Sequence, residues 1–141
     1  MGFSMIAATA VLGLTLFMAV EIITSDLLPT LEDMNTSYAD MKERMQNQLH
    51  SAINITTVAS SANASNYDYN ISVKNTGSAT LFTKDFVVLI NGSGYQFTCS
   101  HETLYPENTA YFQVVNIAGG GPQRVKVITN NGIADYFTAT T

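Results

Sequence analysis

The stretch YNISVKNTGSATL, Tyr69 to Leu81, decides how the rest of the chain is read. Tyr69, Ile71 and Val73 alternate with Asn70, Ser72 and Lys74, the period-two pattern of a strand with one buried face. Asn75-Thr76-Gly77 breaks that pattern, and β-branched and apolar residues resume it toward Leu81. A strand, a glycine-permitted turn and the start of another strand therefore lie within thirteen residues.

The same grammar extends outward. Ile53, Ile55 and Val58 read as an earlier strand, and ASSANASN (Ala59 to Asn66) reads as a flexible loop. ATLFTKDFVVLI (Ala79 to Ile90) is a long β run expected to bend at Thr83-Lys84-Asp85. NGSG (Asn91 to Gly94) supplies a hairpin turn into YQFTCS. AYFQVVNI (Ala110 to Ile117) follows Pro106-Glu107-Asn108, and the break GGGP (Gly119 to Pro122) precedes RVKVITN (Arg124 to Asn130). Asn131-Gly132 fits a type I′ turn into ADYFTAT (Ala134 to Thr140). About seven short strands at this spacing predict a mainly β fold, an immunoglobulin-like β-sandwich over residues 51–141. The Cys-Trp-Cys hallmark of antibody domains is absent, and the lone Cys99 allows no intrachain disulfide.

The N-terminal α region is of another kind. FSMIAATAVLGLTLFMAV (Phe3 to Val20) carries no charged side chain. Its length as a helix, roughly 27 Å at 1.5 Å per residue, approaches the ~30 Å thickness of membrane hydrocarbon. Residues 1–24 are therefore expected to be a transmembrane helix, with Phe3, Ile6, Val11, Leu12, Leu14, Leu16, Phe17 and Val20 facing lipid. A cleavable signal would begin with Lys or Arg and end in a small-residue cleavage site, yet the first base is Lys42. An uncleaved anchor is the expectation. Ser4 with Ala8, and Thr9 with Gly13, are small residues four apart that permit close helix approach, or are ordinary members of an apolar helix. Glu21 falls where the hydrocarbon ends.

Residues 25–50 read as an amphipathic acidic stalk. Leu27, Leu31, Met34, Tyr38, Met41 and Met45 follow the 4-3 spacing of a coiled-coil seam, which packs on a partner helix or on the chain's own β-domain. Pro29 is expected to kink or break the helix, with Thr30 capping a restart at about residue 30. Residues 21–50 hold six acids against Lys42 and Arg44. Five N-x-S/T sequons, at Asn35, Asn54, Asn63, Asn70 and Asn91, are candidate glycosylation sites suited to an exterior domain. Together they favour a single-pass protein of the cytoplasmic membrane, with its N-terminus inside and its β-domain outside.

Catalytic chemistry finds no constellation. His50 ends the stalk, where an imidazolium suits a helix C-terminus. Cys99 and His101 would share a face if their strand continued, with Glu102 beside them. A structural zinc needs about four ligands and a Cys-His nucleophile needs an orienting group, so a core cysteine beside a surface histidine is the simpler reading. Neither glycine cluster joins a strand to a helix as phosphate loops do. The β-domain holds five acids and four bases, no field for nucleic acid. No enzyme, cofactor or metal is expected.

The order of membrane helix, acidic stalk, VKNTGSATL, INGS, LYPENT and RVKVITNNG resembles the FlaF (ArlF) family of the archaellum, the archaeal swimming filament. The opening MGFSMIAATAVLGLTLF is similar to that family's N-terminus, and RVKVITNNGIADYF to its closing hairpin. The sister family FlaG (ArlG) and the filament subunits share this plan. The resemblance implies a non-enzymatic stator component whose sandwich lies beneath the surface layer and binds its protein, tethering the motor. It also implies a dimer acting with a FlaG-like partner. A filament subunit carries a short basic leader ahead of its apolar helix, whereas Met1-Gly2 stand there in this sequence. The alternatives are an archaellum or pilus-like filament subunit, and another membrane-anchored adhesin or accessory domain.

Overall fold

The computed structural model describes residues 2–140. Met1, on which part of the uncleaved-anchor reading rests, and Thr141, the last residue of the expected sandwich, lie outside them. The chain divides into two units, Met1–Glu43 and Arg44–Thr141.

The first unit is helical throughout. Helix α1 spans Gly2–Ile22, a π turn occupies Ile23–Leu27, and helix α2 runs over Leu28–His50, crossing into the second unit. Of the kink or break expected at Pro29, the break with Thr30 as a cap does not form, for the helix continues from Gly2 to His50. The Thr30 hydroxyl instead donates to the Asp26 carbonyl at 2.6 Å, inside the helix. A proline ring collides with the carbonyl four residues before it, here Ser25. The chain answers by widening rather than breaking: the Leu28 N–H reaches back five residues to Ile23 O. Hydroxyls of Thr24 and Ser25 donate to the Val20 and Glu21 carbonyls in the turns just before the proline.

The second unit is an antiparallel β-sandwich entered through the last turns of α2. One sheet has the order β1-β2-β8-β6, with β1 at Ile53–Asn63, β2 at Asn66–Asn75, β6 at Thr98–Cys99 and β8 at Thr109–Ala118. The other has the order β10-β9-β4-β5, with β4 at Val87–Ile90, β5 at Ser93–Tyr95, β9 at Gln123–Ile128 and β10 at Ala134–Ala139. A two-stranded pair, β3 (Leu81–Phe82) with β7 (Thr103–Leu104), completes the set. The expected sandwich is present. Its strands number more than seven because a 3₁₀ turn at Thr83–Asp85 divides the run before Ile90, and YQFTCSHETL is cut into short pieces.

The alternating residues build the core. Ile71, Val73, Phe112 and Val114 of one sheet, and Val88, Ile90, Val125 and Val127 of the other, are essentially inaccessible. Phe112 is the pivot, stacked on Phe86 with ring centroids 5.5 Å apart and edge-on to Phe97 at 5.1 Å.

Three local readings change. Ala59 to Asn66 is not a flexible loop. It extends β1 to Asn63 and turns at Ala64-Ser65, because β2 offers its ladder through Ser60↔Tyr69 and Ala62↔Tyr67. Its small side chains are exposed apart from the half-buried Ser60, positions where pairing demands nothing apolar. The type I′ turn belongs to Asn91-Gly92, with φ of 51° and 85°, and not to Asn131-Gly132. At the latter only Gly132 has positive φ, the Gly132 N–H closes on Thr129 O, and a longer loop results. Finally, β2 does not form a hairpin with β3. After Asn75 the chain leaves that sheet for β3 and returns to it only at β6 and β8.

Candidate functional site

The anchor residues Phe3, Ile6, Val11, Leu12, Leu14, Leu16, Phe17 and Val20 are 52–91% exposed. The helix has a mean hydropathy of 2.2 over its most apolar window, and none of that window is buried. A helix apolar on all sides and uncovered by its own chain meets the requirement of a membrane span. Thr9, in the small-residue row, turns its hydroxyl onto the Met5 and Ile6 carbonyls of its own helix.

The seam residues Leu27, Leu31, Met34, Tyr38, Met41 and Met45 are 52–65% exposed. Met34, Tyr38 and Met41 line a shallow groove with Thr30, Asp33 and Ser37. The five sequon asparagines are all exposed. Their amides are not equally free. Asn63 Nδ2 donates to Asp68, and Asn91 Nδ2 donates to Gln123 Oε1 while its Oδ1 accepts the Arg124 N–H. Asn54 and Asn70 stand outward on neighbouring strands of the first sheet, and Asn35 lies on α2.

The stretch from Asn75 to Ala79 closes on the end of α2. Helix C-termini leave carbonyls without intrahelical donors. Here Thr76 and Gly77 donate their N–H groups to Ala52 O, and Ser78 and Ala79 donate theirs to His50 O, at 2.8–3.1 Å. Four consecutive amides thus collar the end of α2. Gly77 is required by this approach, since a Cβ there would lie 2.4 Å from His50 O and 2.5 Å from Ala52 N. Asn75, wholly buried, organises the turn. Its Nδ2 donates to Ala79 O at 2.7 Å and Leu104 O at 3.1 Å, and its Oδ1 accepts the Gly77 N–H at 3.0 Å. The second side of the collar is Asn131. Its Nδ2 donates to Ser51 Oγ at 2.5 Å and Asn47 O at 3.3 Å, and its carbonyl accepts Gln48 Nε2 at 2.9 Å. His50 sits at the helix end as expected, its Nδ1 3.1 Å from Ser78 Oγ.

Cys99 and His101 do not form a pair. Strand β6 ends at Cys99, so the alternation fails, and the thiol donates to the His101 backbone carbonyl at 3.2 Å. The His101 ring turns to Ser100 Oγ at 2.8 Å. With Glu102, Lys84, Phe97 and Tyr95 they line an open cleft of about 660 Å³. Among the described residues no cluster of His, Cys, Asp and Glu could hold a metal ion.

One feature escapes a count of charges. On β9 the spacing Arg124-Val125-Lys126 buries the valine and turns both bases to the outer face. Tyr136 on β10 pairs directly with Lys126. The guanidinium carbon and the ammonium nitrogen each lie 4.9 Å from its ring centroid. A hydrogen bond from Lys126 and the nearby charges lower the Tyr136 phenol below its ordinary pKa. The signal that could have found it was RVKV opposite DYF, two period-two patterns in antiparallel register.

No protein-family model matches the chain, and no curated protein matches it. Among solved structures it is similar to the archaellum periplasmic stator protein FlaG from Sulfolobus acidocaldarius, with a TM-score of 0.54 and 15% sequence identity, covering 63% of this chain and 99% of that one.

Proposed function

We propose that this protein is a membrane-anchored stator component of an archaellum motor, of the FlaF or FlaG kind. The observation that carries the reading is a sandwich with the fold of a FlaG stator protein in a chain that begins with an exposed apolar helix. A stator needs a foot in the membrane and a domain that keeps its shape under torque. The apolar helix supplies the first, and two hydrogen-bonded sheets over one core supply the second. In this reading the N-terminus is inside, the sandwich lies beneath the surface layer, and its partner is surface-layer protein. The stripe from Leu27 to Met45 pairs with a second copy or a FlaG-like helix, its methionines adapting to either.

The long apolar helix, continuous to His50, also fits a filament subunit, whose family shares the plan of an N-terminal apolar helix before a β-domain. Fractionation separates the two. A stator is expected in the membrane fraction, scarce, and co-sedimenting with isolated surface-layer sheets. Recovery in stoichiometric amounts in sheared, purified filaments would replace the stator reading with the subunit one.

A further inference from the structure

We infer that the outer face of the sheet β10-β9-β4-β5, centred on Arg124, Lys126 and Tyr136, is the docking face for an acidic protein partner. The other outward positions of this sheet are Val87, Leu89, Gly94, Ile128, Ala134 and Thr138, and none is acidic. The chain as a whole carries a net charge of −5, so two adjacent bases without a carboxylate stand out against it. Among the described residues the ion pair is Lys74 with Glu107, and neither Arg124 nor Lys126 enters one. The nearest acid in sequence, Asp135, is committed elsewhere: its Oδ2 accepts the Ile55 N–H at 2.7 Å. The two cations rest instead on the ring of Tyr136, which is 49% exposed.

That arrangement fits recognition of a carboxylate-bearing surface. Arginine and tyrosine are the residue types enriched at interface hot spots, and complementary charge steers encounter. The tyrosine holds both cations in place before the partner arrives, which lowers the ordering cost of binding. Nucleic acid is disfavoured, because duplex binders neutralise about 6–10 phosphates and this face offers two bases. A lipid surface is disfavoured for the same reason, at about 1 kcal/mol per base. The two bases and Tyr136 line a depression of about 590 Å³ together with Leu89 and Asn91-Gly92, room for a carboxylate side chain presented by a partner's surface. The identity of the partner as surface-layer protein rests on the stator reading, whereas its acidic chemistry does not.

The test uses the full chain in nanodiscs of neutral lipid, with two probes: a labelled decaglutamate peptide and polygalacturonate of matched charge. Decaglutamate is expected to bind the native chain at low salt and to lose at least tenfold in affinity in Arg124→Gln/Lys126→Gln. Lys84→Gln, which removes a base elsewhere, is expected to change nothing. Melting curves of the variants check that the substitutions, at the exposed Arg124 and Lys84 and the half-buried Lys126, leave the fold intact. Equal binding by native chain and double variant, or no binding, overturns the inference. Tighter binding of polygalacturonate, lost in the double variant, overturns it in favour of an anionic glycan. Purified surface-layer protein as a third probe separates the two proposals. Surface-layer binding that survives the double substitution overturns this docking face and leaves the stator reading standing. Decaglutamate binding without any surface-layer binding does the reverse.

Discussion

Asn75 is wholly buried, yet each of its side-chain atoms that can hydrogen-bond is used. Truncating it takes the donor from two carbonyls and one of the two acceptors from the Gly77 N–H, which keeps Ala52 O, so Asn75→Ala is expected to cost about 3 kcal/mol. Gly77→Ala is expected to cost at least as much, since backbone atoms of His50 and Ala52 occupy the space. Thermal melting of each variant checks both, and a change below 1 kcal/mol for Gly77→Ala would contradict the collar. Tyr69 is the opposite case: its ring fills the core, but its buried hydroxyl has no hydrogen-bond partner. Tyr69→Phe is therefore expected to stabilise by about 1 kcal/mol, seen as a rise in Tm of about 4 °C. Burial also holds the Tyr69 phenol above its ordinary value of 10.0. In alkali the unfolded chain loses this proton first. The stability is thus fully present below pH 10 and falls as pH rises beyond it, and Tyr69→Phe should flatten that limb of a pH-stability curve. None of these roles was legible in the sequence. KNTG announces a turn, but nothing in it says that the turn closes on a helix end more than twenty residues earlier.

At the level of elements, periodicity reported most of the strands, because alternation follows directly from which face is buried. It failed where pairing rather than composition decides. Ala59 to Asn63 is a strand only because β2 lies alongside, and the break at Asn131 differs from the turn at Asn91 through backbone angles that Asn-Gly alone does not specify. The helix shows a similar limit. Pro29 marks a disturbance, but a π turn and a full break look alike in sequence. If the wide turn answers the proline, Pro29→Ala should restore four-residue spacing and increase amide-exchange protection over Ile23 to Leu28. Unchanged protection there would mean that the turn has another cause.

For the whole molecule, the boundary between units at Glu43 and Arg44 assigns the last turns of α2 to the sandwich. A fragment of residues 44–141 is expected to fold cooperatively by itself. A fragment of residues 52–141, lacking the partners of Ser78, Ala79 and Asn131, should lose several kcal/mol by denaturant titration, at about 1 kcal/mol per hydrogen bond. Fold class was legible because a charge-free opening run and alternating β segments are independent signals. The basic face was not, because counting charges over the domain averaged two aligned bases into a neutral background. The stator role is tested most directly by observing filament rotation on single tethered cells after deletion of the gene, with the native chain restored as control. The expected result is that filaments assemble but do not turn until the chain is restored; normal rotation without the protein would contradict the stator role.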